Sequence, residues 1–358
     1  MKVVVAYEAG RPLVVEDLPV PSVGPRDVLV NISASGMCHT DLNVVNGLSP
    51  LPLPIVPGHE GCGIVEEVGS EVRRVRVGDR VLASVTPACG NCWHCVNGMS
   101  NHCELNSAVS GAPRFELGDG RWAAAVCGCG TFAEAMVVHE ASVLPVRTDL
   151  GDEELALLGC GVTTGVGAAL NTAAVVPGSS VAVIGCGGVG QSVIQGARIA
   201  GAAVIIAIDP VPGRREASTR VGATHTVDPA EGDPVEQVRA LTDGRGADYT
   251  FEVVGRPELM VQAFDMARVE GTVTLVGMPA VGQTLTLPAL KAVFSGKRLA
   301  GSVVGGAQIL RDFPRFIRLA ESGRLDLGSM VTRRIKLDEI NDGIDLMTRA
   351  EGVRTVIV

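Results

Sequence analysis

Up to about residue 150, short runs that mix apolar and polar positions, "DVLVNISASG", "GIVEEVG", "DRVLASV" and "FAEAMVV", are punctuated by glycine and proline. Runs of this length between turn residues predict a β-rich domain with long loops. From about 175 to 298 the pattern changes to nearly continuous apolar runs, "VAVIG", "VIIAID", "YTFEVVG" and "TVTLVGM", with amphipathic stretches between them. A strand that is apolar at every position is covered on both faces, so this alternation predicts a doubly wound parallel sheet. Beyond about 300 the pattern is mixed again, and "RTVIV" predicts a closing strand. No repeat or low-complexity segment interrupts this order.

At 358 residues the chain suits two domains. Hydrophobic residues make up 46%, which calls for a test of the membrane reading. No charged residue occurs from Leu155 to Ala197, but Asn171, Pro177, Ser179, Ser180, Gln191 and many glycines break that run. It falls short of the roughly 18 uninterrupted apolar residues that a span needs, and it reads as buried strands with a covered helix. The apolar stretch in "MKVVVAYEAG" ends at Glu8, too short for a signal-peptide core, so the expected location is cytoplasmic. A net charge of −9 without a Lys/Arg block, and only 3% aromatic residues, argue against nucleic acid or an anionic membrane as partners.

Candidate chemistry begins with "CGNCWHCVNGMSNHC", where Cys89, Cys92, Cys95 and Cys103 fall within one short loop. Four thiolates close the shell of a tetrahedral zinc ion and leave no position for substrate, so this spacing predicts a structural metal site. The competing readings are disulfides, which reducing conditions disfavour, and a thioredoxin-like pair, which normally opens a helix after a strand. With the shell closed by sulfur, His94 and His102 are expected to be exposed loop imidazoles.

In "VAVIGCGGVGQSVIQGARIAG", Gly185, Gly187 and Gly190 stand in G-x-G-x-x-G order directly after a buried strand and at the head of a helix. Glycine lets the backbone approach a pyrophosphate, and the helix start offers unpaired N–H groups. The next apolar run ends in Asp209, where a carboxylate accepts hydrogen bonds from a ribose and repels a 2′-phosphate, favouring NAD over NADP. Arg214 and Arg215 pull mildly the other way.

Three further segments, "GMCHTDLN", "PGHEGCGIVEEVG" and "LLGCGVTTGVGAALNTA", each carry one good metal ligand: Cys38, His59 and Cys160. With the cysteine lobe and the glycine-rich turn, in this order over nearly the whole chain, they closely resemble the zinc-containing alcohol dehydrogenases of the medium-chain dehydrogenase/reductase superfamily. The resemblance implies a GroES-like, β-rich catalytic domain from 1–160 and 300–358, and a Rossmann NAD-binding domain from 161–299. It implies that Cys38, His59 and Cys160 bind a catalytic zinc, with Asp41 orienting His59 and Glu60 behind the metal, and that the lobe cysteines bind a structural one.

The same resemblance implies NAD-dependent oxidation of an alcohol, in which zinc stabilises charge on the substrate oxygen and NAD accepts hydride. Thr40 stands at the proton-relay position; the next station, a histidine in the best-known members, is Asn43, which does not titrate. Thr164 and Val189 match nicotinamide contacts, Gly188 and Val276 fall among the cofactor contacts, and Arg354 matches a pyrophosphate contact. His39 replaces an arginine that serves the same phosphates. Cys62, Cys127, Cys129 and Cys186 are expected to be buried small thiols, with 127–130 near the substrate pocket. His139 and His225 are expected to be structural.

"CHTDL" and "TDGRGADYTFEVVGRPE" are similar to the branch that holds class III enzymes, thiol-dependent formaldehyde dehydrogenases and aryl-alcohol dehydrogenases. The resemblance places aliphatic Val85 and Val304 at pocket positions, which favours a bulky or aromatic primary alcohol, with S-hydroxymethyl adducts as the alternative. A non-catalytic zinc and nucleotide-binding protein is the alternative of a different class, and a metal-independent quinone reductase is disfavoured by the two metal sites. The edge strand around "RLAGSVVGG" is where the family pairs subunits, so a homodimer is expected, with a tetramer the other option.

Overall fold

The computed structural model describes residues 1–49 and 51–358, and the chain divides into two compact units. The first comprises residues 1–160, 308–323 and 327–358. Its main sheet is built on the strand Asp27–Gly36 (β1), which is followed by the short helix His39–Val45 (α1). Strand Glu60–Val68 (β2) runs antiparallel to β1, pairing Gly36 with Glu60 and Ala34 with Cys62. Strand Arg80–Ala83 (β3) then pairs with β2. The C-terminal strand Arg354–Ile357 lies against the far end of β1, with Ile357 opposite Ser35. Val28, Val30, Val65, Val81, Ala83, Met136 and Val138 form a buried cluster on this sheet, so alternate positions of neighbouring strands supply the core. Helix Asp152–Leu158 (α2) closes the unit, and its last four residues, Leu155 to Leu158, are fully buried.

The second unit holds residues 161–307 and 324–326. It begins with the helix Gly161–Gly167 (α3) and contains strand Ser180–Ile184 (β4), helix Gly188–Ile199 (α4) and strand Val204–Ile208 (β5). After the short strand His225–Val227 come strand Ala247–Glu252 (β6), helix Pro257–Met266 (α5), strand Ala267–Leu275 (β7) and strand Arg298–Gly301 (β8). All pairs are parallel, and β4, the first strand in sequence, lies between β5 and β6. Numbered within this unit, the strand order is 3-2-1-4-5-6, that of doubly wound dinucleotide-binding sheets. The reason for the charge-free run is visible here. Val181 and Val183 of β4 enter one core with Ala168, Ala169 and Val193, while Ala182 and Ile184 enter the core on the opposite face with Ile206 and Phe264. Among the described residues no single helix is long and apolar enough to cross a membrane.

One boundary falls elsewhere than the sequence places it. Residues 300–307 cluster with the second unit, because β8 completes the parallel sheet on β7 and a short 3-10 turn, Val303–Gly306, follows directly. The return to the first unit is at Gln308.

Candidate metal centres and nucleotide site

In the lobe, the sulfurs of Cys89, Cys92, Cys95 and Cys103 lie within 4.8 Å of one another. Four Zn–S bonds of about 2.3 Å give a tetrahedron with edges of about 3.8 Å. The Cys89 and Cys95 sulfurs are 3.8 Å apart, and those of Cys92 and Cys103 are 4.0 Å apart, so the cage fits the ion. Backbone N–H groups point at the sulfurs: Cys89 N donates to Cys103 Sγ and Cys92 N to Cys89 Sγ, both at 3.4 Å. Donors from Glu104 and Cys95 pull the Cys92 thiol down to about 6, whereas burial pushes Cys95 up to about 12 and raises Cys103. Four sulfurs this close cannot all ionise without a cation, and a divalent metal supplies it. His94 is half-buried with Nδ1 3.5 Å from Glu104 Oε1, and His102 is exposed.

The second group brings together residues from three separated segments. Cys38, His59, Glu60 and Cys160 present ligand atoms within 4.8 Å of one another. Cys38 caps α1, His59 directly precedes β2, and Cys160 follows α2, so strand pairing and one buried helix deliver all three. Asp41, fully buried on α1, joins two of them. Its Oδ2 accepts from Cys38 N at 3.2 Å, and its Oδ1 accepts from Gly58 N at 2.8 Å and from His59 Nδ1 at 2.9 Å. With Nδ1 held, His59 Nε2 faces the sulfurs, buried and with no hydrogen-bond partner among the described residues. An orphaned imidazole nitrogen between two thiols is the donor set of a Cys₂His zinc site with an open position. The hydrogen bond from the Cys160 thiol holds Cys38 well below the ordinary thiol range, and that same bond with burial raises Cys160.

The guanidinium of Arg354, for which the resemblance implies a phosphate contact, is buried against the carboxylate of Glu60, with side-chain exposures of 5% and 0%. Desolvation opposes its charge, but Glu60 outweighs that and keeps it protonated. The pair fits because residue 36 is glycine: a Cβ there would strike Glu60 Oε2. Thr40 Oγ1 is 3.7 Å from Cys38 Sγ, His39 is exposed on the first turn of α1, and the Asn43 carbonyl accepts from Leu48 N.

In the second unit, Gly185 directly follows β4 at φ +90°, Gly187 caps α4, and Gly188 and Val189 are its first residues. A Cβ on Gly190 would collide with the Gly185 carbonyl, whereas Gly187 has open space, so the third glycine serves packing and the second leaves room for a ligand. Asp209 follows β5 and is 3% exposed; its oxygens accept from Cys186 N and Val211 N, both at 2.8 Å. Arg214 lies 3.9 Å from that carboxylate, and Arg215 pairs with Asp228 at 2.8 Å. Thr164 on α3 and Val276 beyond β7 are half-buried.

Sequence reasoning passes over several residues that build these sites. Gly58, at φ +90°, donates to Asp41 where any side chain would meet Phe132. Arg74 anchors the start of the lobe through the Ala88 carbonyl at 2.6 Å. Glu252 holds the turn after β6 by accepting from Val254 N and Gly255 N. Gly58 and Glu252 fall inside segments already singled out, but nothing in those segments or around Arg74 marks the three for these roles.

Cys62, Cys129 and Cys186 are fully buried, and burial pushes each up to about 12. Cys127 differs: it is half-buried and sits at φ 54°. His139 accepts from Ala141 N at 3.0 Å, a structural cap.

Residues 24–148 match the alcohol dehydrogenase GroES-like domain, and residues 188–322 match the zinc-binding dehydrogenase family. The S-(hydroxymethyl)glutathione dehydrogenase of Synechocystis sp. is 38% identical, over 99% of this chain and 98% of that protein. Among solved structures, the alcohol dehydrogenase zinc-binding domain protein of Burkholderia ambifaria superimposes with a TM-score of 0.94 at 33% identity, covering 99% of this chain and 98% of that one. The benzyl alcohol dehydrogenase of Acinetobacter calcoaceticus superimposes with a TM-score of 0.93 at 31% identity and the same coverage.

Proposed function

Because the chain belongs to the zinc-containing alcohol dehydrogenases of the medium-chain dehydrogenase/reductase superfamily, we propose that it oxidises a bulky or aromatic primary alcohol to the aldehyde with NAD as hydride acceptor. The observation that supports the substrate class is the apolar cluster next to Cys38 in the chain, where half-buried Leu51, Leu53 and Cys127 pack with Met37 and Val126. The segment from 46 to 54 carries no charged residue. A wall of this kind accepts an aromatic or aliphatic body and offers no ionic handle.

A zinc ion held by Cys38, His59 and Cys160 supplies Lewis-acid polarisation of the substrate oxygen, and the dinucleotide takes up the hydride. The chain's own residues do the rest. Asp41 fixes the His59 tautomer, and the Thr40 hydroxyl takes the alcohol proton and passes it on. Asn43 cannot titrate, so water completes the relay. The Gly185 to Gly190 turn and the start of α4 seat the pyrophosphate, and Asp209 binds the adenosine ribose and favours NAD over NADP. Cys89, Cys92, Cys95 and Cys103 hold the structural zinc. The cytoplasm, where thiolates stay reduced, is the compartment that suits them.

A second reading, oxidation of the S-hydroxymethyl adduct of a thiol, is supported by the name of the 38% identical relative. One experiment separates them: NADH formation with benzyl alcohol, and with formaldehyde in the presence and absence of glutathione. Thiol-independent turnover of benzyl alcohol supports the aryl reading. Turnover confined to formaldehyde plus glutathione replaces it with the adduct reading.

We also propose a homodimer formed through the edge strand β8. Leu290, Val293, Phe294 and Leu299 expose 73%, 76%, 79% and 45% of their surface beside that open edge. Phe294→Asp is expected to shift the protein to monomer in light-scattering measurements; an unchanged mass would place the contact elsewhere.

A further inference from the structure

Cys62, without a role in the chemistry above, lies on the strand that follows His59. Its thiol donates to Asp152 Oδ1 at 3.4 Å. The same oxygen accepts from Arg80 Nε at 2.6 Å, and the Arg80 fork also donates to the carbonyls of Thr148 at 3.0 Å and Leu150 at 2.7 Å. Asp152 is the first residue of α2, and Cys160 follows two residues after its end. The helix therefore links this cluster to a metal ligand along about 10 Å, at 1.5 Å per residue.

We propose that Arg80, Asp152 and Cys62 act as a clamp that positions Cys160 at the catalytic metal, by tying the start of α2 to the two strands that flank the ligand set. The inference rests on the reading of Cys38, His59 and Cys160 as that metal's ligands.

Two further observations make the clamp act at Cys160 and not only on stability. First, the far end of α2 has no slack. A Cβ on Gly159 would come within 2.9 Å of the Ala83 carbonyl and 3.2 Å of the Glu60 Cα, so the helix end is seated on β3 and β2 beside His59. Second, Leu155 to Leu158 are fully buried, so a shift at Asp152 passes along the packed helix instead of being absorbed by a loop. Arginine suits the role because its planar fork meets one carboxylate and two carbonyls at once, which an ammonium cannot do. Cys62 contributes a donor small enough to lie under the helix start.

The test uses the full-length protein loaded with zinc at both sites, as wild type, Asp152→Asn, Cys62→Ala and Cys62→Ser. Transfer of zinc to a chromophoric chelator is timed, and the absorption spectrum of the cobalt-substituted protein is recorded for each. Asp152→Asn is expected to release one of the two metals roughly 10- to 100-fold faster, with altered cobalt bands, while the four-cysteine site holds its metal as in wild type. Cys62→Ala shows the same selective effect at smaller size, and Cys62→Ser, which keeps a donor, restores slow release. If release and spectra match wild type, or both metals loosen together with the melting temperature, the clamp does not position Cys160. If wild type itself holds only the four-cysteine metal, the ligand reading fails first and the clamp with it.

Discussion

Asp41 Oδ1 accepts the Nδ1 proton of His59 at 2.9 Å, leaving Nε2 as a lone-pair donor aimed at the two cysteine sulfurs. Through Oδ2 the same carboxylate holds the Cys38 backbone N–H, so one buried side chain sets two of three ligands. Asp41→Asn cannot serve both edges, because an amide presents only one acceptor atom. Affinity for the catalytic zinc is expected to fall by about 10- to 100-fold while the lobe keeps its metal. Metal content after dialysis against graded chelator measures this, and an unchanged catalytic site would show that Asp41 only caps α1.

Arg354 and Glu60 form a buried ion pair, and removing one partner leaves an uncompensated charge. Arg354→Met is expected to destabilise the first unit by about 3–5 kcal/mol in denaturant unfolding. Normal stability with weakened dinucleotide binding would show that Arg354 serves only the phosphate contact implied by its motif.

Gly187 and Gly190 separate ligand approach from packing. Gly190→Ala overpacks the turn against the Gly185 carbonyl, a cost of about 1–3 kcal/mol. That cost falls on the folded chain with or without NAD, so the melting temperature is expected to fall. Gly187→Ala has room for its methyl and is expected to weaken NAD binding with the melting temperature intact. Equal effects of the two on stability would contradict the assignment.

Cys186 is pushed up to about 12, by burial first and by the charge of Asp209 second. Above pH 9.0, the ordinary value, the unfolded thiol ionises while the native one stays protonated, so the unfolded chain binds fewer protons. Stability therefore falls as pH rises from about 9 to about 12, by about 1.4 kcal/mol per pH unit for each such thiol. Cys186→Ala is expected to make this alkaline slope shallower by one thiol's share, with Cys62 and Cys129 still contributing. Urea unfolding at a series of alkaline pH values reads the slope; a wild-type slope in the variant would mean Cys186 ionises freely in the native state.

Much of the second unit is legible along the chain, because its information is local. Val181 to Ile184 are apolar at every position since odd and even residues enter different cores, and Gly185, Gly187 and Gly190 stand within six residues of one another. The lobe cysteines are equally local: fifteen residues hold all four, and spacing alone brings their sulfurs to zinc distance. The catalytic set is different. Cys38, His59 and Cys160 are assembled by the pairing of β1 with β2 and by the seating of α2, neither of which any short stretch encodes. Resemblance to a family supplied that set, and the structure supplies its physical reason.

Charge partnerships were the least legible of all. Arg354 meets Glu60 across 294 residues of sequence, and Arg80 meets Asp152 across 72. Periodicity and spacing speak for the secondary elements and for ligands carried on one loop, since backbone geometry converts short-range order into position. Which distant charges share a buried site depends on how the apolar faces of those elements pack together, a long-range outcome that only the folded chain contains.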